Sequence, residues 1–255
     1  MIRSRASRAS ALALVALLVV GGCLAPQGTE RARRGKRGAV TATLGDARPA
    51  GATPGRAEGR GGAVAAEHQR AAEIGVAMLA QGGNAVDAAI ATAYAVCVLN
   101  PSSCGIGGGG FMLVHEADGD VHALDYRETA PAMAHRDLYR HGDQVFAELS
   151  KRGGMAVAVP GEVAGLESAR ERFARLPRQT LMAPAIALAR DGFPIGPHLA
   201  KEIGNNLTAL RAAPALAALF LDAAGSPRPE GSVLTMPALA ATLERIAAEG
   251  ADGFY

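Results

Sequence analysis

Residues 105–115 read Gly-Ile-Gly-Gly-Gly-Gly-Phe-Met-Leu-Val-His, a run of four glycines that leads into an apolar, strand-like segment. Glycine loses more backbone freedom on folding than any other residue, so such a run is kept where the chain turns sharply or another backbone approaches closely. A phosphate-binding loop is the rival interpretation, but that loop lies between a strand and a following helix and carries Gly-Lys-Ser/Thr. The order here is reversed, and we favour close packing.

The segment before the glycines predicts two helices. The first should bury Ala72, Val76 and Leu79 and end at Gly82-Gly83, because glycine is common just past a helix C-terminus. Ahead of this helix, residues 62–66 are apolar enough for a short buried strand.

The second helix should run over residues 85–99. Asn84 can cap its N-terminus, and Asp87 stands in the first turn, where a carboxylate accepts hydrogen bonds from free N–H groups. The helix is apolar on all sides, which predicts a central, buried position, and Pro101 prevents its continuation.

The glycines open a predicted β-hairpin. Residues 111–115 form its first strand, Asp118-Gly119 its turn, and residues 121–127 its second strand. By the two-residue period of a strand, one face of the second strand carries Val121, Ala123, Asp125 and Arg127. His115 and His122 flank the turn, and we favour an exposed cross-strand pair over a metal site, because no third ligand is evident.

The rest of the chain is predicted to be mostly helical, so the fold class is α+β or a layered α/β/α arrangement. Candidate helices cover residues 162–174, 180–190, 196–210, 213–221 and 236–248.

Arg127 is the charged residue that most suggests a function. It ends a strand in the run Asp125-Tyr126-Arg127-Glu128, and two interpretations stay open. The guanidinium can pair with Asp125 or Glu128, or it can offer a planar, permanently charged fork to a ligand carboxylate. The residues nominate no complete catalytic set, since Ser102, Ser103 and Cys104 lack both a Gly-x-Ser-x-Gly elbow and an evident base.

The N-terminus is predicted to be an export signal. Arg3, Arg5 and Arg8 precede the apolar residues 11–20, and Gly21-Gly22-Cys23 follows. This pattern resembles a lipoprotein cleavage site, which predicts a signal peptide over 1–22 and a lipidated Cys23; an ordinary cleaved signal is the alternative. Residues 23–62 predict a disordered tether and residues 63–255 the folded part. The protein is therefore expected in the periplasm or anchored to a membrane.

The composition of the 255 residues limits the class of protein. Hydrophobic residues make up 49%, enough for a sizeable core, and the net charge of +2 gives no reason to expect a nucleic-acid partner. Cys97 and Cys104 can form a disulfide in an oxidising compartment, but we favour one buried thiol and one loop thiol.

Several motifs then resemble the start of the large subunit of γ-glutamyltransferases (glutathione hydrolases). The matching runs, in order, are residues 82–89, 105–112, 125–131, 159–165, 185–193 and 253–255. The resemblance covers about residues 63–255.

The resemblance implies an N-terminal-nucleophile hydrolase with an αββα sandwich, made as one precursor that cleaves itself. The new N-terminal Thr of the small subunit attacks the γ-glutamyl amide of glutathione or a related compound, and the acyl-enzyme passes to water or an amine. Arg127 matches the arginine that binds the donor's α-carboxylate in this family. No cofactor and no metal are implied.

The resemblance also implies that these 255 residues stop before the catalytic Thr, so no catalytic residue is assigned here. We expect a fragment that is inactive alone and that needs the small subunit of the same precursor. A related amide hydrolase of the β-lactam acylase type and a non-enzymatic surface lipoprotein are the alternatives.

Overall fold

The computed structural model describes residues 61–255, together with the backbone of Leu14–Ala16. The lipidation candidate Cys23 and almost all of the predicted tether therefore lie outside the described residues. The short strand β1 (Leu14–Ala16) falls within the predicted signal peptide, the rest of which also lies outside the described part.

The described part is mostly helical with a few strands, in agreement with the α+β prediction. The elements after β1 are α1 (Gln69–Ala80), α2 (Ala85–Leu99), β2 (Phe111–His115), β3 (Val121–Asp125), β4 (Arg140–His141), β5 (Gln144–Val145), α3 (Glu162–Phe173), α4 (Arg178–Asp191), β6 (Phe193–Pro194), α5 (Pro197–Asn205), α6 (Leu207–Arg211), α7 (Pro214–Phe220), β7 (Val233–Leu234) and α8 (Pro237–Glu249). Three short 3-10 helices cover Ala147–Ser150, Gly154–Ala156 and Gly250–Gly253. Within residues 61–255, no helix combines the length and apolar character that crossing a bilayer requires.

Helix α2 is the centre of the core, as predicted. Nearly all of its side chains are buried, and it packs against α1, α3 and α4. The predicted cap is confirmed: the Asn84 side chain accepts from the N–H groups of Val86 and Asp87, while the Asp87 carboxylate accepts from the Asn84 N–H at 2.7 Å. Asp87 is fully buried and also accepts from the N–H of Leu176 at 2.8 Å. One side chain thus joins the start of α2 to the chain that follows α3.

The main sheet has the order β1-β2-β3 and is antiparallel. Met112, Val114 and Leu124 are buried on the face that the helices cover. On the other face, Phe111 and Val121 are 57% and 61% exposed. A sheet with helices on one apolar face and a second apolar face left open is one half of a sandwich.

Two predictions about the N-terminal segment are wrong. Residues 62–66 form no strand, and most of them are exposed. Helix α1 buries Ala71, Ile74, Gly75 and Met78 rather than the predicted face, and Val76 is 42% exposed. The reason is the close approach of α2: a Cβ on Gly75 would collide with the Thr92 hydroxyl, so the helix turns its glycine side inward.

The favoured interpretation of the cysteines is also wrong, because Cys97 and Cys104 form a disulfide. The turn after α2, which begins at Pro101, brings their Cα atoms to 4.4 Å, within the range that a disulfide spans.

The predicted histidine pair does not form. In the β2–β3 register His115 lies opposite Val121 and His122 opposite Val114, so the two imidazoles point to opposite faces. His122 instead bonds to Glu116 at 2.9 Å. The predicted helix over 196–210 is divided at Asn206 into α5 and α6, whereas the other predicted helices are confirmed with ends that differ by one or two residues.

Candidate functional site

The glycine segment packs directly against the backbone that carries Arg127. Gly110 and Tyr126 exchange two backbone hydrogen bonds, of 3.3 and 3.0 Å. A Cβ on Gly109 would collide with the Tyr126 carbonyl oxygen and lie 2.9 Å from the Glu128 nitrogen. The predicted close packing is therefore confirmed, and its cause is the missing side chain, since no residue of 105–110 has a positive φ.

A second glycine-containing segment closes on Tyr126 from the start of α3. The N–H groups of Gly161 and Glu162 both donate to the Gly108 carbonyl, at 2.8 and 2.9 Å. A Cβ on Gly161 would strike the Tyr126 carbonyl, and one on Gly165 would strike the Tyr126 side chain. Burial raises the pKa of Tyr126. The backbone just before Arg127 is therefore held from two sides.

Arg127 lies just beyond the end of β3, which stops two residues earlier than predicted. Its N–H donates to the Asp125 carboxylate at 3.1 Å, and its Nε donates to Glu128 at 2.9 Å. The side chain is 60% exposed, and its guanidinium lies 6.0 Å from the centre of the Phe111 ring, on the open face of the sheet. Its two terminal nitrogens make no hydrogen bond to a described residue.

The hydrogen bond to Glu128 orients the guanidinium through Nε and leaves its two terminal nitrogens without a partner among the described residues. Glu128 has a lowered pKa, because its carboxylate accepts from its own backbone N–H and is stabilised by Arg127. Two surface hollows, one beside Arg211 and one beside Arg178, do not include Arg127. The structure thus places the predicted binding residue at an open edge.

Glu162 is a buried acid that sequence reasoning missed. It is the first residue of α3 and is 7% exposed. Burial, followed by the nearby charge of Glu128, raises its pKa to about 7. Its carboxylate forms no hydrogen bond or ion pair with any described residue, and it lies within 4.8 Å of both disulfide sulfurs. An acid at the first helical position directly after Pro160-Gly161 is the one sequence signal that could have drawn attention to it.

A second buried acid, Glu167, lies about one and a half turns further along α3. Arg170 donates to it at 2.9 and 2.7 Å, and Arg178 adds a second two-pronged contact. Burial alone would raise the pKa of Glu167, but the hydrogen bonds from Arg178 and Arg170 outweigh it and lower the pKa to about 2. This cluster is internally satisfied and joins α3 to α4.

The serines near the glycine segment are engaged in local contacts. The Ser102 hydroxyl donates to Asn100 at 2.7 Å and the Ser103 hydroxyl to Glu67 at 2.6 Å. Within residues 61–255, neither hydroxyl is hydrogen-bonded to a histidine, and Cys104 is held in the disulfide.

A layer of helices covers one face of the sheet and leaves the other apolar face open, and the glycine segments hold the backbone next to Arg127. This arrangement is that of the N-terminal-nucleophile hydrolase class, and the chain forms an incomplete αββα sandwich. The family model described as gamma-glutamyltranspeptidase matches residues 71–255, so the chain belongs to the γ-glutamyltranspeptidase family.

The chain is also similar to individual proteins with curated names or solved structures. Glutathione hydrolase proenzyme 1 of Schizosaccharomyces pombe is 43% identical over 205 residues, which are 78% of this chain and 31% of that protein. The crystal structure of Helicobacter pylori γ-glutamyltranspeptidase superposes with a TM-score of 0.76 at 34% identity, covering 78% of this chain and 58% of that one. Cephalosporin acylase from Bacillus halodurans gives a TM-score of 0.66 at 28% identity, covering 80% and 40%.

The chain spans about a third of the length of the curated relatives that it matches, with shares that run from 30% to 34%.

Proposed function

We propose that this chain is the donor-binding part of an enzyme that cleaves γ-glutamyl amides such as glutathione. The observation that carries the proposal is the Arg127 guanidinium, which is oriented through Nε and whose two terminal nitrogens have no hydrogen-bond partner in the described part of the chain. A carboxylate can accept two parallel hydrogen bonds from such a fork, and the charge of arginine does not depend on pH. The α-carboxylate of a γ-glutamyl group has this chemistry.

In the proposed reaction, Arg127 fixes the donor by its α-carboxylate so that the γ-amide lies within reach of a nucleophile. Following the family resemblance, that nucleophile is an N-terminal Thr, whose own amine takes up the hydroxyl proton. Attack on the amide carbon expels the amine and leaves a γ-glutamyl ester, which water or an acceptor amine then cleaves. Holding the donor in this way replaces a bimolecular encounter by an oriented one.

The partner of this chain is proposed to be a further segment of the same precursor, which covers the open face of the sheet. Phe111 and Leu113 on β2 and Val121 on β3 present apolar side chains there, 57%, 38% and 61% exposed. Apolar surface of this kind is favourable to bury against a second sheet. Arg127 lies beside the same face, so the partner would bring its reactive group next to the donor site.

The activity can be tested in the full-length protein with γ-glutamyl-p-nitroanilide and with glutathione. We expect both donors to be cleaved with release of nitroaniline or cysteinylglycine. Arg190→Ala is the matched control for Arg127→Ala, because Arg190 also bonds through Nε to the acid that follows it and is 56% exposed. Turnover that survives Arg127→Ala as well as it survives Arg190→Ala would contradict the proposed donor site.

A second candidate is an amide hydrolase that removes the acyl side chain of a β-lactam. The structural similarity to cephalosporin acylase, over 80% of this chain, is the observation that favours it. Parallel assays with a γ-glutamyl donor and a glutaryl-cephalosporin decide between the two. A glutaryl group lacks the α-ammonium, so efficient cleavage of it without γ-glutamyl turnover would favour the acylase.

For localisation, we propose export and lipidation at Cys23. The support is the sequence pattern of three arginines, an apolar segment and Gly21-Gly22-Cys23. Cleavage before Cys23 would also remove β1 and so free the outer edge of β2 for another strand. Mass spectrometry of the mature protein should show a diacylglyceryl group on Cys23, and Cys23→Ala should release the protein from the membrane fraction. An unmodified N-terminus at another residue would reject the proposal.

A further inference from the structure

The Cys97–Cys104 disulfide and the Glu162 carboxyl lie close together at the start of the glycine segment. Cys97 lies in the last turn of α2 and is 4% exposed, whereas Cys104 directly precedes Gly105 and is half-buried. Both sulfurs and a carboxylate oxygen of Glu162 lie within 4.8 Å of one another. The proposed donor chemistry uses none of these three groups.

The Glu162 side chain has no hydrogen bond or ion pair in the described part of the chain that would explain its position. It is more than nine-tenths buried, and its carboxylate has no hydrogen-bond or ion-pair partner among the described residues. Burial of most of this residue disfavours the ionised carboxylate, so the carboxyl holds its proton to higher pH and can donate it to a neighbouring sulfur.

We propose that this disulfide is a thiol-exchange site for small thiols, at which Cys104 is attacked and Glu162 protonates the departing sulfur of Cys97. The assignment of the two sulfurs follows from their exposure. Cys104 is the more exposed of the two residues and is therefore assigned as the sulfur that the thiolate attacks, while Cys97 becomes a thiolate in an apolar helix core, where its charge is unfavourable.

The exchange conserves atoms and electrons. A thiolate RS⁻ forms a bond to the Cys104 sulfur, and the S–S bond breaks with its electron pair going to Cys97. The Glu162 carboxyl gives its proton to Cys97, which leaves a mixed disulfide on Cys104, a neutral thiol at Cys97 and a carboxylate at Glu162. Solvent then returns a proton to Glu162. A second thiol that attacks the mixed disulfide completes reduction to the dithiol.

The surroundings of Glu162 support a proton that is available near neutral pH. The titratable groups that face it are Glu128, after β3, and the phenols of Tyr126 and Tyr94. None of these is cationic, and burial together with the charge of Glu128 raises the pKa of Glu162 to about 7. The proton is therefore present below about pH 7 and absent above it.

The experiment measures the rate of exchange in the folded full-length protein with glutathione and, separately, with dithiothreitol, between about pH 5 and pH 9. Each rate is divided by the thiolate concentration of the reagent. For the wild type we expect this rate constant to fall as the pH rises through about 7. Glu162→Gln should remove the fall and be at least about tenfold slower below pH 6, because the amide cannot supply a proton.

Two further variants keep the test decisive. Glu128→Gln should retain the fall but move it to lower pH, because one neighbouring negative charge is gone. Cys97→Ala should abolish the exchange, because Cys104 is then a free thiol and offers the reagent no S–S bond to break. Peptide mapping of the trapped intermediate should place the reagent on Cys104.

No exchange in the folded protein, a reagent found on Cys97, or identical pH profiles for wild type and Glu162→Gln would each overturn the proposal. γ-Glutamyl turnover is not a readout here, so this result is independent of the proposed function.

Discussion

Two clusters of charge each include one acid of helix α3, and they differ in their partners and in their exposure. In the first, Glu167 is held by Arg170 and Arg178, and all three side chains are between 11% and 22% exposed. In the second, the Arg127 side chain is 60% exposed and Glu128 is its one hydrogen-bond partner among the described residues, while the buried Glu162 carboxylate has no such partner there. In the first cluster both oxygens of the Glu167 carboxylate accept hydrogen bonds from arginines. In the second, the two terminal nitrogens of Arg127 bond to no described residue.

This difference indicates that the Glu167 cluster stabilises the fold and that the cluster of Arg127 and Glu162 is the candidate for function. Hydrogen bonds hold Glu167 ionised to about pH 2, whereas burial keeps Glu162 protonated to about pH 7. Charges that are paired inside the protein, such as Glu167, contribute to the stability of the fold, whereas perturbed or unpaired charges are the ones that a ligand or a proton transfer can use. Removing each group should therefore affect different measurements.

The largest effect is expected at Arg127. In the full-length protein, Arg127→Ala should raise the KM for a γ-glutamyl donor at least tenfold. Breaking a buried charge pair costs about 2 to 5 kcal/mol, and the bound donor and the proposed partner segment would cover this 60% exposed side chain. Arg127→Lys should also raise it, because a lysine cannot form the bidentate fork. Steady-state kinetics measure this, and unchanged donor kinetics in both variants would remove Arg127 from the site.

The next effect is on stability, at Glu167. Glu167→Gln should lower the free energy of unfolding at neutral pH by about 3 kcal/mol, because two arginines lose their buried partner. Since the pKa of Glu167 is lowered to about 2, its contribution is present above its ordinary value of 4.5 and is lost as the pH falls toward 2. Urea titrations at several pH values test this. The exposed neighbour Glu171 is the control, and a loss of equal size in Glu171→Gln would contradict the account.

Glu162→Gln should change the free energy of unfolding in the opposite direction from Glu167→Gln. Because its pKa is raised to about 7, Glu162 favours folding in its protonated form, and this contribution disappears as the pH rises from 4.5 through 7. The variant should match the wild type near pH 5 and be more stable near pH 8, by on the order of 2 kcal/mol. A variant that is less stable than the wild type at pH 8 would show that the ionised carboxylate has a partner.

The smallest effect is expected at Glu128. Its charge is the second cause of the raised pKa of Glu162, after burial, so Glu128→Gln should lower that pKa by less than burial raises it. Carboxyl carbon chemical shifts, followed by NMR during a pH titration, measure the change directly. A pKa of Glu162 that rises in this variant would show that Glu128 does not act through its charge.

The elements that sequence analysis located well are set by local patterns. Helix α2 follows from the Asn84 cap, the apolar residues 85–99 and Pro101, and strand β2 follows from its apolar run after the glycines. The close approach at Gly109 was predictable for the same reason, because a run of glycines costs backbone entropy that close packing can offset.

The features that sequence analysis missed depend on tertiary contacts. The buried face of α1 is set by Gly75 against Thr92, and a one-residue difference in hairpin register separates His115 from His122. The disulfide depends on a turn geometry that spacing alone does not fix. Glu162 looks like an ordinary first-turn acid until the structure shows what surrounds it.

Recognition of a donor's α-carboxylate by Arg127 can be isolated by comparing two proteins with two donors. Donor binding to the full-length protein would be measured by calorimetry for wild type and Arg127→Ala, with a γ-glutamyl amide and with the same amide lacking its α-carboxylate. We expect the wild type to bind the complete donor at least tenfold more tightly than the variant does, and both proteins to bind the truncated donor equally weakly. An equal loss of affinity for both donors in Arg127→Ala would show that Arg127 does not recognise the α-carboxylate.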